Sequence, residues 1–133
     1  MSENLKGKVA VVTGSGQGIG RSIAIAMGKE GAKVVTNNRK PGSTGFAIMD
    51  ESLVGNLSSE EKEALKKKSE EAKGDAETTA QAIRDAGGEA TPFFGDTSDF
   101  KTAKALIDTA VDTYGRIDIL VNVVGTFSFS PVW

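Results

Sequence analysis

The chain contains no cysteine and no histidine among its 133 residues. The absence of cysteine excludes a disulfide framework and a thiolate nucleophile. Because histidine is missing as well, a Ser-His-Asp triad and the usual zinc sites are also excluded. Carboxylates, hydroxyls, lysines and a bound cofactor therefore remain as the groups that can carry chemistry.

Long apolar runs and a surplus of one charge are absent too. No apolar run reaches the length of a membrane span, and residues 1–6 lack the apolar stretch of a secretion signal. The 16 basic and 18 acidic residues give a net charge of −2, which does not favour nucleic acid or an anionic membrane as a partner. We therefore expect a cytoplasmic protein of one domain, residues 1–133.

Glycine is present in an informative spacing, Gly-x-x-x-Gly-x-Gly, formed by Gly14, Gly18 and Gly20. An uncharged and mostly β-branched run, Val9 to Thr13, precedes it and predicts a buried parallel strand. In a strand–turn–helix unit of this kind, the free N–H groups and the dipole of the helix attract a pyrophosphate, which the missing Cβ atoms allow to approach. The spacing thus favours dinucleotide binding, and a glycine turn that binds nothing is the alternative.

An amphipathic helix is predicted directly after these glycines. A P-loop is disfavoured, because Arg21 and Ser22 follow the last glycine instead of a Lys-Ser or Lys-Thr pair. Gly28 and Gly31 are expected to end the helix. Its predicted buried stripe consists of Ile19, Ile23 and Met27, with Ala24 and Ala26 beside them.

With these motifs the chain resembles the short-chain dehydrogenase/reductase family. The family pattern Thr-Gly-x-x-x-Gly-x-Gly is met from Thr13 to Gly20, and its Asn-Asn-Ala-Gly motif is met from Asn122 to Gly125 with two substitutions. Two further matches are Asn37-Asn38-Arg39 after a second strand, Ala32 to Thr36, and Gly95-Asp96-Thr97 after a third. The fourth strand is expected from Ile117 to Val123. Right-handed crossovers between these strands predict an α/β fold, the N-terminal half of a Rossmann-like doubly wound parallel sheet of order 3-2-1-4.

The resemblance implies that residues of all four motifs contact the cofactor. It assigns the adenine amino group to Asp96, with the Thr97 backbone alongside, although capping of the next helix by Asp96, Thr97 or Ser98 is the alternative reading. It makes Asn122 a structural amide that fixes neighbouring strands, and Gly125 a point where the ribose approaches closely. The expected cofactor-binding residues are Gly14, Ser15, Gln17, Gly18, Ile19, Gly20, Asn38, Arg39, Asp96, Thr97, Asn122, Val124 and Gly125.

The end of the second strand decides between NAD and NADP. A carboxylate there accepts hydrogen bonds from the ribose 2′-hydroxyl and repels a 2′-phosphate, whereas an arginine favours the phosphate. Asn38 stands where the resemblance places the NAD-selecting aspartate, and Arg39 follows it. We therefore expect a preference for NADP, with NAD as the alternative.

Residues 40–73 interrupt the pattern and are expected to be an insertion. Turn residues and a short apolar patch, residues 46–49, come first. Ser58 and Glu61 predict a capping box, which opens a highly charged, solvated helix. A surface flap is favoured over a substrate-covering or partner-binding role. The crossover helix that follows is predicted from Asp75 to Ala86.

No catalytic residue and no metal ligand is assigned. In the family, a tyrosine with a lysine four residues later acts as general acid and base. Here Tyr114 is the one tyrosine, and Asp118 stands four residues after it. Tyr114 is therefore predicted to pack at a helix end, and Ser128 and Ser130 to lie in a loop at the mouth of the site.

The resemblance implies the cofactor-binding half of an oxidoreductase that transfers hydride between NAD(P)(H) and a carbonyl or alcohol substrate. The apolar fourth strand is expected to have an uncovered outer edge, which later strands of the family would cover. The family's later helices would form a homo-oligomer interface in a complete enzyme. A non-catalytic dinucleotide-binding module and a degenerate chain without a stable fold are the alternatives.

Overall fold

The computed structural model describes residues 3–42, 55–71 and 73–125. The elements described there alternate between strand and helix along most of the chain, as the sequence pattern predicts. In chain order they are β1 Val9–Val12, α1 Gly18–Lys29, β2 Lys33–Asn38, α2 Ser59–Glu71, α3 Ala76–Asp85, β3 Glu89–Phe94, α4 Phe100–Tyr114 and β4 Ile119–Val121.

The strands form one parallel sheet in the order β3-β2-β1-β4. In its register Val11 lies between Val35 of β2 and Leu120 of β4. All four residues of β1 are buried, as expected for a strand covered on both faces. The predicted α/β fold and strand order are therefore confirmed.

Helices cover the two faces of the sheet because successive side chains of a strand point to opposite sides. Ala10 and Val12 of β1 pack with α1 and α3 on one face, and Val9 and Val11 pack with α4 on the other. This alternation leaves the ends of the strands, rather than their faces, as the place where polar groups can gather.

Small residues form the buried stripe of α1, and the predicted stripe is wrong in part. Gly20, Ala24 and Gly28 are buried, whereas Ile19 is 75% exposed. Ala26 is exposed as well. A Cβ on Gly28 would lie 2.6 Å from Cγ2 of Ile83, so this glycine lets α1 and α3 approach closely.

The end of α1 also differs from the prediction. Gly28 lies inside the helix, which runs to Lys29 and has Glu30 as its C-cap. Gly31 follows with a φ of +94°, a conformation that glycine adopts without strain. Gly31 therefore belongs to the helix end as predicted, and Gly28 does not.

The second strand is longer than predicted at its carboxyl end. Asn37 and Asn38 pair in register with Phe93 and Phe94 of β3, so that β2 runs to Asn38. The fourth strand is shorter than predicted and, within the described residues, pairs with β1 alone. Leu120 on this strand is 49% exposed, in line with the expected uncovered edge.

The described part of residues 40–73 contains the predicted charged helix, α2. The backbone N–H of Ser58 donates to Oε2 of Glu61 at 2.8 Å, and the N–H of Glu61 donates to Oγ of Ser58 at 3.2 Å. This confirms the capping box, and its hydrogen bonds lower the pKa of Glu61. The predicted apolar patch at residues 46–49 lies outside the described residues.

The two remaining helices begin at aspartates. Asp75 caps α3 in a reciprocal capping box with Thr78, as the sequence allows. Asp99 caps α4 by accepting from the N–H of Thr102 at 2.9 Å, so the predicted capping of this helix by residues 96–98 is wrong. Within the described ranges, no helix is long and apolar enough to cross a membrane.

Candidate functional site

The carboxyl ends of the four described strands meet at one edge of the sheet, which we call the carboxyl edge. The glycine turn, defined as residues 13–20, lies at its centre. The N–H of Gly14 donates to Oδ1 of Asn37 at the end of β2. A Cβ on Gly14 would lie 3.1 Å from Cγ2 of Val124 beyond β4. The predicted motifs therefore come together in space.

The three glycines of the motif have different surroundings. A Cβ on Gly20 would overlap the carbonyl oxygen of Gly14 and lie 2.8 Å from its carbonyl carbon. Gly14 likewise faces protein atoms, those of Val124. Gly18, with a φ of +58°, has nothing within 4 Å of the position of its Cβ. Gly14 lets the turn pack against Val124, Gly20 lets the turn pack against α1, and Gly18 leaves open space.

This open space lies at the N-terminus of α1. The N-cap, Gln17, is extended and its side chain makes no capping hydrogen bond, and the first turn contains no acidic residue. The first N–H groups of a helix have no partner within the helix, and the helix dipole adds positive potential there. The residues present thus fit an anionic group such as the diphosphate of a dinucleotide.

Ser15 is placed beneath the turn rather than on its surface. Its side chain is fully buried, donates to the carbonyl oxygen of Val12 at 2.7 Å and accepts from the N–H of Asn37 at 2.9 Å. The hydroxyl of Thr79 donates to the carbonyl oxygen of Ser15 at 2.8 Å. The Ser15 hydroxyl therefore supports the turn from inside.

Thr13 connects the turn to the segment after β4. Its Oγ1 accepts from the N–H of Val123 at 3.1 Å and from that of Val124 at 3.5 Å. Val124 is 57% exposed and Gly125 is exposed. This contact holds the residues of the fourth motif beside Gly14.

Asn38 and Gly16 lie close to the two ends of residues 40–73. Oδ1 of Asn38 accepts from the N–H of Ala76 at 2.9 Å, and its Nδ2 donates to the carbonyl oxygen of Lys40 at 2.9 Å. A Cβ on Gly16 would lie 3.2 Å from Cβ of Asn38 and 3.0 Å from Cα of Asp75. A side chain at residue 16 would therefore be crowded by Asn38 and Asp75.

Asp75 adds a carboxylate next to this position. Its Oδ2 accepts from the N–H of Gly42 at 3.0 Å, and its Oδ1 accepts from the N–H of Thr78 at 2.9 Å. Burial opposes ionisation of Asp75, but the hydrogen bonds from the backbones of Thr78, Gly42 and Glu77 outweigh it and lower its pKa. The carboxylate therefore joins Gly42 to the first turn of α3.

Arg39 and Asp96 are exposed at the neighbouring ends of β2 and β3. Oδ1 of Asp96 accepts from the N–H of Ser98 at 2.9 Å. Hydrogen bonds from Ser98 are the main cause of the lowered pKa of Asp96, and the charge of Arg39 contributes to it. Thr97 is half-buried. Both charged groups are therefore accessible at the carboxyl edge.

Asn122 is exposed, and the described residues give its side chain no hydrogen-bond partner. Within the described residues, β4 lies at the edge of the sheet with β1 as its one neighbour. The role of Asn122 as an amide that fixes neighbouring strands stays a prediction.

Tyr114 is the last residue of α4, which confirms its predicted place at a helix end, and it lies away from the carboxyl edge. Oη of Tyr114 is 2.8 Å from Oγ1 of Thr91, and Nζ of Lys33 lies 5.7 Å from the centre of its ring. Burial raises the pKa of Tyr114. Because Lys33 is the first residue of β2, Tyr114 packs near the amino ends of the strands, opposite the carboxyl edge.

Comparison with known proteins agrees with this geometry. A family model described as short chain dehydrogenase matches residues 8–51 and 53–132. An uncharacterized oxidoreductase of Methylorubrum extorquens is 34% identical over 128 residues, and elsinochrome reductase 1 of Elsinoe fawcettii is 35% identical over 128 residues. A short chain dehydrogenase of Mycobacterium thermoresistibile has a TM-score of 0.70 at 25% identity.

These relatives are longer than the chain. The matches cover 96% of this chain in each case, but 39% of the Methylorubrum protein, 36% of the Elsinoe protein and 37% of the mycobacterial structure. The chain therefore spans less than two fifths of the length of these relatives.

Proposed function

The chain belongs to the short-chain dehydrogenase family, and from this premise we propose that it binds a nicotinamide dinucleotide at the carboxyl edge. The observation that carries the proposal is the open space beside Gly18, in front of a helix N-terminus whose N-cap residue, Gln17, makes no capping hydrogen bond with its side chain. The reaction proposed for the whole protein is hydride transfer between the nicotinamide and a carbonyl or alcohol carbon.

When bound, the dinucleotide supplies the hydride chemistry, and the protein supplies binding and orientation. The N–H groups of residues 18–20 would hold the diphosphate at the positive end of the dipole of α1. Asp96 and Thr97 would contact the adenine end. Val124, whose N–H donates to Thr13, and the adjacent Gly125 would contact the nicotinamide end.

These 133 residues contain no Tyr-x-x-x-Lys sequence. We therefore propose that these residues bind the dinucleotide but do not catalyse its oxidation or reduction by themselves. Titration of the purified chain with NADPH should enhance the nicotinamide fluorescence in a saturable way. Incubation of the same complex with simple ketones should leave the absorbance of NADPH unchanged. A chain that folds cooperatively but gives no saturable signal with either NADPH or NADH contradicts the proposal.

A preference for NADP over NAD is the second part of the proposal. Arg39 is the exposed cation beside Asn38, where the adenosine ribose is expected to lie. The carboxylate of Asp75, which accepts from the N–H of Gly42, lies nearby. Its negative charge opposes the binding of a 2′-phosphate. Because an arginine–phosphate contact is a charge-assisted hydrogen bond, we expect Arg39 to outweigh this repulsion.

Replacement Arg39→Ala should weaken NADPH binding by roughly tenfold to a hundredfold and NADH binding by less than about threefold. Dissociation constants for both dinucleotides, measured by fluorescence titration, test this. Lys29→Ala removes the same charge at the other end of α1 and should leave the ratio of the two constants unchanged. Equal losses for NADPH and NADH in Arg39→Ala would assign the site to NAD.

A further inference from the structure

Asn37 is a buried amide that joins the glycine turn to the end of β3 and to the loop after β3. It is 1% exposed. Its Oδ1 accepts from the N–H of Gly14 at 3.4 Å, while its Nδ2 donates to the carbonyl oxygens of Phe93 and Gly95, each at 3.2 Å. The glycine turn and the loop after β3 are thus tied to the same side chain.

The backbone of Asn37 strengthens this connection. Its N–H donates to Oγ of Ser15 at 2.9 Å, and its carbonyl oxygen accepts from the N–H of Ser15 at 2.8 Å. Asn37 therefore contacts both Gly14 and Ser15, the residues at which β1 turns away from the sheet. Its Nδ2 also lies 3.4 Å from the carbonyl oxygen of Asn38.

The surroundings of this side chain require an amide. One end faces an N–H donor and the other faces carbonyl acceptors, so the residue must accept and donate at the same time. An ionised carboxylate accepts only and would face the oxygens of Phe93 and Gly95 without a proton between them. An apolar side chain would remove these three hydrogen bonds from part-buried backbone groups, which is costly.

We propose that Asn37 is a positioning residue that fixes the distance between the glycine turn and the loop at Gly95 and Asp96. The inference rests on the proposed function, in which the turn holds the diphosphate and the loop faces the adenine. A ligand that binds at both places depends on their spacing, because a change in this spacing weakens its contacts at one end or forces it into a less favourable conformation.

The substitution Asn37→Asp tests this through its dependence on pH. A protonated carboxyl group accepts with one oxygen and donates with the other, as the amide does, and the ionised form cannot donate. At pH 8 the variant should bind NADH at least tenfold more weakly than the wild type. The carboxyl group of this variant would be buried and would face two carbonyl oxygens, which raises its pKa well above the ordinary value of about 4. As the pH falls to 5.5, the ratio of the two dissociation constants should therefore return toward one, because protonation restores the donor.

A matched control separates positioning from stability. Thr36→Val removes a buried hydrogen bond of the same strand, from Oγ1 of Thr36 to the carbonyl oxygen of Ala76 at 2.7 Å. It should lower the free energy of unfolding but leave NADH binding by the folded protein within twofold of the wild type at both pH values. If Asn37→Asp does not fold at pH 8, Asn37→Ser replaces it and should bind at least tenfold more weakly without the pH dependence.

Hydrogen exchange of the free protein supplies a second readout. At pH 8, the amide of Gly95, which donates to the carbonyl oxygen of Asn38 at 2.9 Å, should lose protection in Asn37→Asp, because the carboxylate repels the carbonyl oxygen of Gly95. It should keep its protection in Thr36→Val. The proposal is overturned if folded Asn37→Asp matches the wild type in NADH affinity at pH 8, or if the amide of Gly95 keeps its protection. A wild-type chain that binds no NADH contradicts the proposed function instead, and hydrogen exchange then decides the role of Asn37 alone.

Discussion

Gly18→Val should abolish dinucleotide binding, with an affinity loss of more than about a hundredfold. The residue borders the open space before α1, where nothing lies within 4 Å of the position that a Cβ would take. A branched side chain there would occupy the volume proposed for the diphosphate and keep it from the N–H groups of the first turn. The expected loss exceeds that of a single hydrogen bond because several contacts fail together.

Backbone strain is the competing explanation, since Gly18 has a φ of +58° and valine adopts such values rarely. Gly7→Val is the matched control, because Gly7 has a φ of +78° and also has nothing within 4 Å. Urea unfolding should show a similar loss of stability in both variants. Titration with NADPH should show binding by Gly7→Val alone. Retained affinity in a folded Gly18→Val protein would refute the proposed position of the diphosphate.

The sequence predicts the strand order and the meeting of the motifs because both follow from periodicity and chain direction. An uncharged run such as Val9 to Val12 can be buried on both faces, and right-handed crossovers then leave few arrangements. The same reasoning locates the turn and the charged helix α2, whose capping box is a local signal between Ser58 and Glu61.

Contacts between elements distant in sequence could not be predicted in the same way. Ile19 is apolar and in phase with Ile23, yet it lies at the start of α1, beyond the sheet, and is exposed. Asn37 looks like an ordinary strand-end residue, and its role depends on Gly14 and Gly95, which are distant in sequence. A polar residue at the end of a buried strand is the signal that could have indicated it.

The contacts of the glycines could not be predicted from the sequence either, because it gives their spacing but not the atoms that they approach. In the motif, Gly18 faces open space and Gly20 faces the backbone of Gly14. Gly28 has the appearance of a helix end but faces Ile83 of α3. The effect of adding one methyl group therefore depends on the neighbour at each position.

Gly20→Ala should destabilise the protein by about 3 kcal/mol or more and disable binding as well. The new methyl group would overlap the carbonyl oxygen of Gly14 and lie 3.0 Å from Cα of Ser15. Both neighbours are backbone atoms of the glycine turn, so relief requires the turn to move away from α1. The proposed diphosphate site is formed by these same elements, and its N–H groups would lose their common orientation.

Gly28→Ala distinguishes this effect from a general intolerance of α1 to larger residues. Its methyl group would lie 2.6 Å from Cγ2 of Ile83, so Ile83 of α3 must move, whereas the glycine turn need not. Alanine also favours the helix by about 1 kcal/mol over glycine, which offsets part of the strain. We expect a loss of about 1–2 kcal/mol in urea unfolding, with NADPH affinity kept. If Gly20→Ala is as stable as Gly28→Ala and binds NADPH normally, the close contact between α1 and the glycine turn is not required for the site.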